Sequence, residues 1–259
     1  EPEVRRWLRL LEGLGIPAQG EALEFPLSSG DEDELAALLA GRPLLAGSFA
    51  VIHPGARGVS RRWDPARFAA VADALVPMGL DVVLTGTPDE EPVTQAVAHA
   101  ARACTPLDLT GRTGLGSLAA LLSRARLLIS NDTGVSHLAA ALGTPSVIVF
   151  GDPRLGSDPQ RWAPLNRRRH RSLAPSPGRP WEPVTPQAVL ARKGSPVAER
   201  APVRHLLIAC LEGADRLCEL EPALQVLRLG LPGAHLALLA PATAPGAALP
   251  QAGEILKWP

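Results

Sequence analysis

The stretch Arg126-Leu127-Leu128-Ile129-Ser130-Asn131-Asp132-Thr133-Gly134-Val135-Ser136-His137-Leu138-Ala139-Ala140-Ala141-Leu142-Gly143 runs from a buried-strand pattern through a polar turn into an Ala/Leu-rich helix pattern. The first amides of a helix have no intrahelical acceptor, and the macrodipole places partial positive charge there. Such a turn is suited to hold an anion, up to a diphosphate, without a metal. Gly134 lets a ligand approach the backbone closely, Asp132 or Thr133 supplies the helix cap, and His137 lies one turn further in near the same end. An ordinary capped helix with a surface histidine has the same local signature, so the reading depends on the neighbouring loops.

Working outward, the same strand-turn-helix pattern repeats. Strands are expected near 49–53, 81–85, 106–109, 126–130 and 146–150, each a short apolar run suited to burial on both faces. Helices are expected between them at 65–76, 90–102, 117–124 and 135–142. Strands separated by helices of this length form right-handed crossover units, so the fold class is α/β, a Rossmann-like, doubly wound parallel sheet. Ligands of such sheets bind outside the carboxyl ends of the strands. The informative loops therefore follow His53, Thr85, Leu109 and Ser130.

The first of these loops reads His53-Pro54-Gly55-Ala56-Arg57-Gly58-Val59-Ser60-Arg61-Arg62-Trp63. Arginine is permanently charged and grips phosphate oxygens with two donors, while Gly55 and Gly58 allow backbone amides to turn inward. Neither the G-x-G-x-x-G dinucleotide spacing nor the G-x-x-x-x-G-K-[ST] phosphate loop is present. Trp63 reads as a packing residue.

Composition narrows the classes. The chain has 259 residues, 46% apolar, with 26 basic and 26 acidic side chains, so its net balance favours neither nucleic acid nor an acidic surface. Basic character is local, in Arg167-Arg168-Arg169-His170-Arg171, read as a solvated loop or as a contact for an anionic acceptor or lipid head groups. Cys104, Cys210 and Cys218 lack metal-ligand spacing and fit a reduced, cytoplasmic protein. No signal-peptide pattern stands at Glu1, and no apolar run approaches the roughly 20 residues of a membrane helix.

Taken together, His53-Pro54-Gly55-Ala56 with Arg61-Arg62-Trp63, then Leu109-Thr110-Gly111-Arg112-Thr113, the Asp132-Thr133-Gly134-x-x-His137 turn through Gly143-Thr144-Pro145, Phe150-Gly151-Asp152-Pro153 and Arg161-Trp162-Ala163-Pro164 resemble glycosyltransferase family 9. That is the heptosyltransferase family of lipopolysaccharide core synthesis. The resemblance implies that residues 47–193 are the donor-binding half of a GT-B fold whose substrate is ADP-heptose, with no cofactor and no metal. It implies that Asp132, Thr133, Gly134 and His137 surround the diphosphate and sugar, with Gly55, Ala56 and Arg61 of the first loop beside them. Arg61 stands where the family has a phosphate-contacting lysine, Asp64 replaces a usual proline, and Arg57 stands where a small hydroxyl residue is common. An acidic residue after the second strand holds the ribose in the family, and Glu90 or Asp89 is nearest to that place. The implied partners are the nucleotide-sugar donor and a lipopolysaccharide core acceptor, with a peripheral contact to the inner membrane and no nucleic acid.

The two ends have a different character. Residues 1–46 read as a helical connector, with Val4, Trp7, Leu8, Leu11 and Leu14 on one helical face over 4–14 and a second helix over 32–39. In the family such a connector follows an amino-terminal acceptor half, which is expected ahead of Glu1. After a helix over 186–192, residues 194–203 read as a linker. Residues 204–259 resemble the start of an acceptor half, through Leu206-Leu207-Ile208, Pro222-Ala223-Leu224 and Leu231-Pro232-Gly233-Ala234-His235. Strands are expected over 205–210, 234–239 and 254–258, and a helix over 219–229. The family's catalytic base is an aspartate six residues before the proline of the Pro-Ala-Leu segment. Here that place is Arg216, with Asp215 one position early. Arginine does not act as a base at neutral pH, so Asp215 is the only catalytic candidate of this unit and is expected not to function. Three readings follow: an inverting, metal-independent heptosyltransferase module, a nucleotide-sugar-binding or scaffolding module without chemistry, and a GT-B-shaped nucleotide-sugar epimerase. The epimerase is disfavoured by Thr133-Gly134 and His137, where such enzymes carry a Ser-Gly-Gly turn followed by acids.

Overall fold

Among the described residues, each face of one parallel sheet carries a large cluster of buried apolar side chains. A computed structural model describes residues 1–175, 185–191, 205–209, 235–241 and 254–258. Strands β1 (Phe49–His53), β2 (Asp81–Leu84), β3 (Leu107–Asp108), β4 (Leu127–Asn131), β5 (Ser146–Val149) and β6 (His170–Leu173) lie in the order β3-β2-β1-β4-β5-β6, every pair parallel. Helices α3 (Pro65–Leu75), α4 (Glu91–Ala100) and α7 (Pro186–Leu190) cover one face around Ile52, Trp63, Phe68, Leu75, Ile129 and Val189. Helices α2 (Ser29–Leu38), α5 (Leu115–Arg124) and α6 (Gly134–Leu142) cover the other around Leu35, Val51, Leu122, Leu128 and Leu142. Because β2 and β3 extend the sheet on one side of β1 and β4 to β6 on the other, strand order reverses between β1 and β4. The crevice at that reversal is where ligands of open α/β sheets bind.

By its internal contacts the chain divides into two units, Glu1–Trp7 with Glu21–Ala198, and Leu8–Gly20 with Glu199–Pro259. The second contains a parallel three-stranded sheet, β7 (His205–Ala209), β8 (His235–Pro241) and β9 (Glu254–Trp258), with His205 opposite His235 and Ala237 opposite Glu254. The expected helix over 219–229, the linker over 194–203, and Asp215 and Arg216 lie outside the described residues. Helix α1 (Glu3–Gly13) forms where its apolar spacing predicts it, and no helix among the described residues is long and apolar enough to cross a membrane.

Two elements depart from the sequence reading. The basic run was expected to be a loop, but its His170 begins a sixth strand and is buried, its Nδ1 within 2.9 Å of the Ser146 hydroxyl on β5. Arg171 remains outside, as suits a charged strand at a sheet edge. Helix α2 begins three residues earlier than expected, at a capping box: the Ser28 hydroxyl accepts from the Asp31 amide at 3.2 Å, and the Asp31 carboxylate accepts from the Ser28 amide at 2.8 Å. Glu34 of α2 in turn accepts the Ser117 hydroxyl at 2.9 Å and, at 3.4 Å, the amide of Gly114 just ahead of α5. Leu35 has no exposed surface and belongs to the core of the sheet's second face. Leu35→Ala should therefore cost about 2–5 kcal/mol of unfolding free energy in urea titration. A loss below about 0.5 kcal/mol, typical of surface positions, would place α2 outside the core.

Candidate functional site

A cleft of about 990 Å³ opens at the strand-order reversal, lined by His53 and Arg57 after β1, Glu90 after β2, Thr113 after β3, and Thr133 and Gly134 after β4. Leu115, Leu118, Val135 and Leu138 give it an apolar wall. Polar groups thus converge from the carboxyl ends of four parallel strands onto one apolar-sided hollow, the usual form of a small-molecule site.

At the amino end of α6, Thr133 is the cap: its hydroxyl accepts from the Val135 amide at 3.4 Å, and its carbonyl accepts the Ser136 amide at 3.0 Å. Asp132 takes another part. It is buried, and its Oδ2 accepts the Ser157 hydroxyl at 2.9 Å. Burial pushes its carboxyl above the usual range, against the pull of the Ser157 hydrogen bond and the charges of Arg61 and His137. Burial likewise lowers the His137 imidazole, against the attraction of Asp132. Arg61 therefore lies within electrostatic reach of Asp132 beside the helix end. Gly134 is exposed, and a Cβ there would meet no atom within 4 Å, so the space in front of the helix terminus is open.

The loop after β1 is held by Asn131, a residue the sequence reading passed over. Its Nδ2 donates to the Pro54 carbonyl at 2.6 Å and its Oδ1 accepts the Trp63 amide at 3.0 Å. Within the loop, Arg62 Nε donates to the Ala56 carbonyl at 2.8 Å, so this guanidinium braces its own loop. Gly55 has a steric reason of its own: a Cβ at this position would overlap the carboxyl group of Glu90. Glu90 is buried, with Oε2 accepting the Thr87 amide at 2.9 Å and lying 3.6 Å from His53 Nε2. His53 Nδ1 faces the Thr85 hydroxyl at 3.1 Å, and burial, only partly offset by Glu90, holds this imidazole below its ordinary pKa.

Of the residues singled out in the sequence, Glu90, Thr133 and Gly134 line the cleft, with Asp89 beside Glu90 on its rim. Gly55 and Ala56 are buried in the loop that supports it. Asp132 lies buried at the turn. His137 lines a separate hollow of about 290 Å³ on the flank of α6, with Arg161, Trp162 and Arg169. Ser157 and Asn131 were not anticipated, because a lone serine or asparagine carries no periodicity or spacing that marks it. Among the described residues, no group of three or more His, Cys, Asp or Glu side chains is arranged to hold a metal ion.

The family model described as glycosyltransferase family 9 (heptosyltransferase) matches residues 1–180. Lipopolysaccharide heptosyltransferase 3 of Escherichia coli is 40% identical over 107 residues, covering 40% of this chain and 31% of that protein. Lipopolysaccharide heptosyltransferase 2 of Escherichia coli K12 is 28% identical over 179 residues, covering 64% of this chain and 49% of that protein. The chain thus spans under half the length of these curated relatives. Among solved structures, a family 9 glycosyl transferase from Veillonella parvula superposes with a TM-score of 0.65 at 22% identity, covering 74% of this chain and 58% of that one. The E. coli ADP-heptose lipopolysaccharide heptosyltransferase II gives a TM-score of 0.56 at 26% identity, covering 67% and 53%. The six-stranded unit shares the Rossmann-like, GT-B-type architecture of these enzymes. On the match over residues 1–180, the chain belongs to glycosyltransferase family 9, the heptosyltransferases.

Proposed function

We propose that this chain carries the donor site of a heptosyltransferase, binding ADP-heptose for metal-independent, inverting transfer to a lipopolysaccharide core acceptor at the cytoplasmic face of the inner membrane. The observation that carries the reading is the open helix terminus at Gly134, facing the cleft at the strand-order reversal. Backbone amides there receive the diphosphate, and Arg61 adds a fixed positive charge for the departing ADP. The apolar wall of Leu115, Leu118, Val135 and Leu138 suits a nucleobase, and Glu90 is placed to accept from ribose hydroxyls. For Asp132 and His137 to border the sugar, it extends from the helix terminus toward the hollow on the flank of α6 that His137 lines. Transfer also needs a base for the acceptor hydroxyl. The acceptor-type tail has Arg216 at the expected position and Asp215 one place early, so donor binding without turnover is the behaviour proposed for this chain by itself.

Gly134 separates binding from folding. A Cβ there meets open space, and alanine is the better helix former, so Gly134→Ala should leave unfolding free energy unchanged or raise it by up to about 1 kcal/mol. The same methyl group stands where the diphosphate would approach, and calorimetric affinity for ADP should fall about tenfold or more, with or without magnesium. Equal ADP affinity in the two proteins, or a strict magnesium requirement, would remove the helix terminus from the site.

A pH test addresses the buried histidine beside Glu90. The unfolded chain protonates His53 near its ordinary value of 6.5, while the folded protein holds it lower. The unfolded state therefore takes up more protons as pH falls below that value, and stability present at higher pH is lost on acidification. His53→Gln should flatten the fall in urea-derived stability between about pH 7 and 5 by up to about one proton in slope. An unchanged slope would show that His53 titrates alike in both states.

A further inference from the structure

Ser157 ties the segment after β5 to the turn after β4 through one hydroxyl group. Its Oγ accepts the Gly151 amide at 2.9 Å and donates to Asp132 Oδ2 at 2.9 Å, and the residue is 1% exposed. A serine hydroxyl has a single proton. With the Gly151 amide on an oxygen lone pair, that proton is directed at the Asp132 carboxylate, which fixes the rotamer of both side chains. Gly151 is itself held against the loop after β1: a Cβ there would lie 2.6 Å from the Ser60 carbonyl oxygen and 3.2 Å from Arg61 Cα. The hydroxyl therefore grips the carboxylate directly and, through Gly151, the strand end on which the Arg61 backbone rests.

We propose that Ser157 is a positioning residue of the donor site, holding the Asp132 carboxylate in place between Arg61 and His137. Its consequence for ligand binding rests on the nucleotide-sugar reading above. The charged and titratable groups facing Asp132 are Arg61 from the loop after β1 and His137 from the first turn of α6, and the Ser157 hydroxyl completes the set from the segment after β5. Of these three, Ser157 supplies the hydrogen bond to the carboxylate and the two charged groups act at longer range. Without it the carboxylate would lose that bond in a buried place, where an unsatisfied charge is costly, and would turn or take up a proton. A serine that merely closed its own loop would contribute to stability and leave the Asp132 titration untouched.

The test uses the full 259-residue chain. The Asp132 carboxyl is titrated by carbon-13 NMR in the unmodified protein, Ser157→Ala and Ser157→Thr, with Asp132→Ala identifying the resonance. The midpoint should move to higher pH in Ser157→Ala and stay near the unmodified value in Ser157→Thr, which keeps the hydroxyl. ADP affinity measured by calorimetry should fall about tenfold in Ser157→Ala, the scale of one hydrogen bond to a charged group. In the Asp132→Ala background the same substitution should have little further effect. An unmoved midpoint, or a full Ser157→Ala effect in the Asp132→Ala background, overturns the proposal. If the midpoint moves but unmodified protein does not bind ADP, the positioning stands and the donor-site reading falls. Should Ser157→Ala not fold, Ser157→Cys, nearly isosteric but a weak donor, carries the same comparison.

Discussion

The site exists because one buried amide fastens both ends of an arginine-bearing loop to the neighbouring strand. Asn131 ends β4, the strand beside β1 at the reversal of strand order, and reaches 77 residues back to Pro54 and 68 back to Trp63. The role requires a donor and an acceptor in one side chain, which an ionised aspartate of similar shape lacks. Leaving the buried Pro54 carbonyl and Trp63 amide unpaired would cost about 1–3 kcal/mol each. Beyond the clamp, Trp63 is fully buried and meets Phe68 edge to face, with ring centroids 5.0 Å apart. The loop is thereby anchored in the core at its far end, and Arg61 is carried on a segment held at both ends rather than on a free one.

Much of this architecture was legible because burial on both sheet faces leaves a mark that a short window can read. The runs at 49–53 and 146–149 are apolar almost throughout, and each is followed by a helix signal or a polar turn. The polar turn at 131–134 was legible for a related reason, since helix caps follow local rules. What stayed hidden was set by contacts distant in sequence. The sixth strand has no apolar pattern, because His170 is buried through a partner on β5 rather than by hydrophobicity. Helix α5 starts two residues earlier than its pattern suggests, directly after Gly114, whose amide donates to Glu34 from 80 residues away. Gly55 looked like a phosphate-loop glycine, yet its missing side chain makes room for Glu90. Ser157 lies 25 residues from Asp132, too far for any spacing rule.

Electrostatically, the site is arranged around two groups that burial drives toward neutrality. Asp132 is pushed up and His137 is pushed down, and the charge of each opposes the shift in the other. A phosphate group arriving at Gly134 would add negative charge beside both, favouring protonation of either. Arg61, whose charge does not depend on pH, is the constant in this balance. An arginine at this position supplies that constant through a planar, multi-donor head.

The far end of α6 has its own occupant. Arg169 Nη1 donates to the Gly143 carbonyl at 3.1 Å, setting a guanidinium group on the negative pole of the helix. The carbonyl pole of a helix carries about half a negative charge, and one full guanidinium charge more than offsets it, so the two ends of α6 no longer differ in sign. Both ends of α6 therefore favour negative charge close by, an attraction that acts over one Debye length, about 10 Å at 0.1 M salt, and shortens as salt is added.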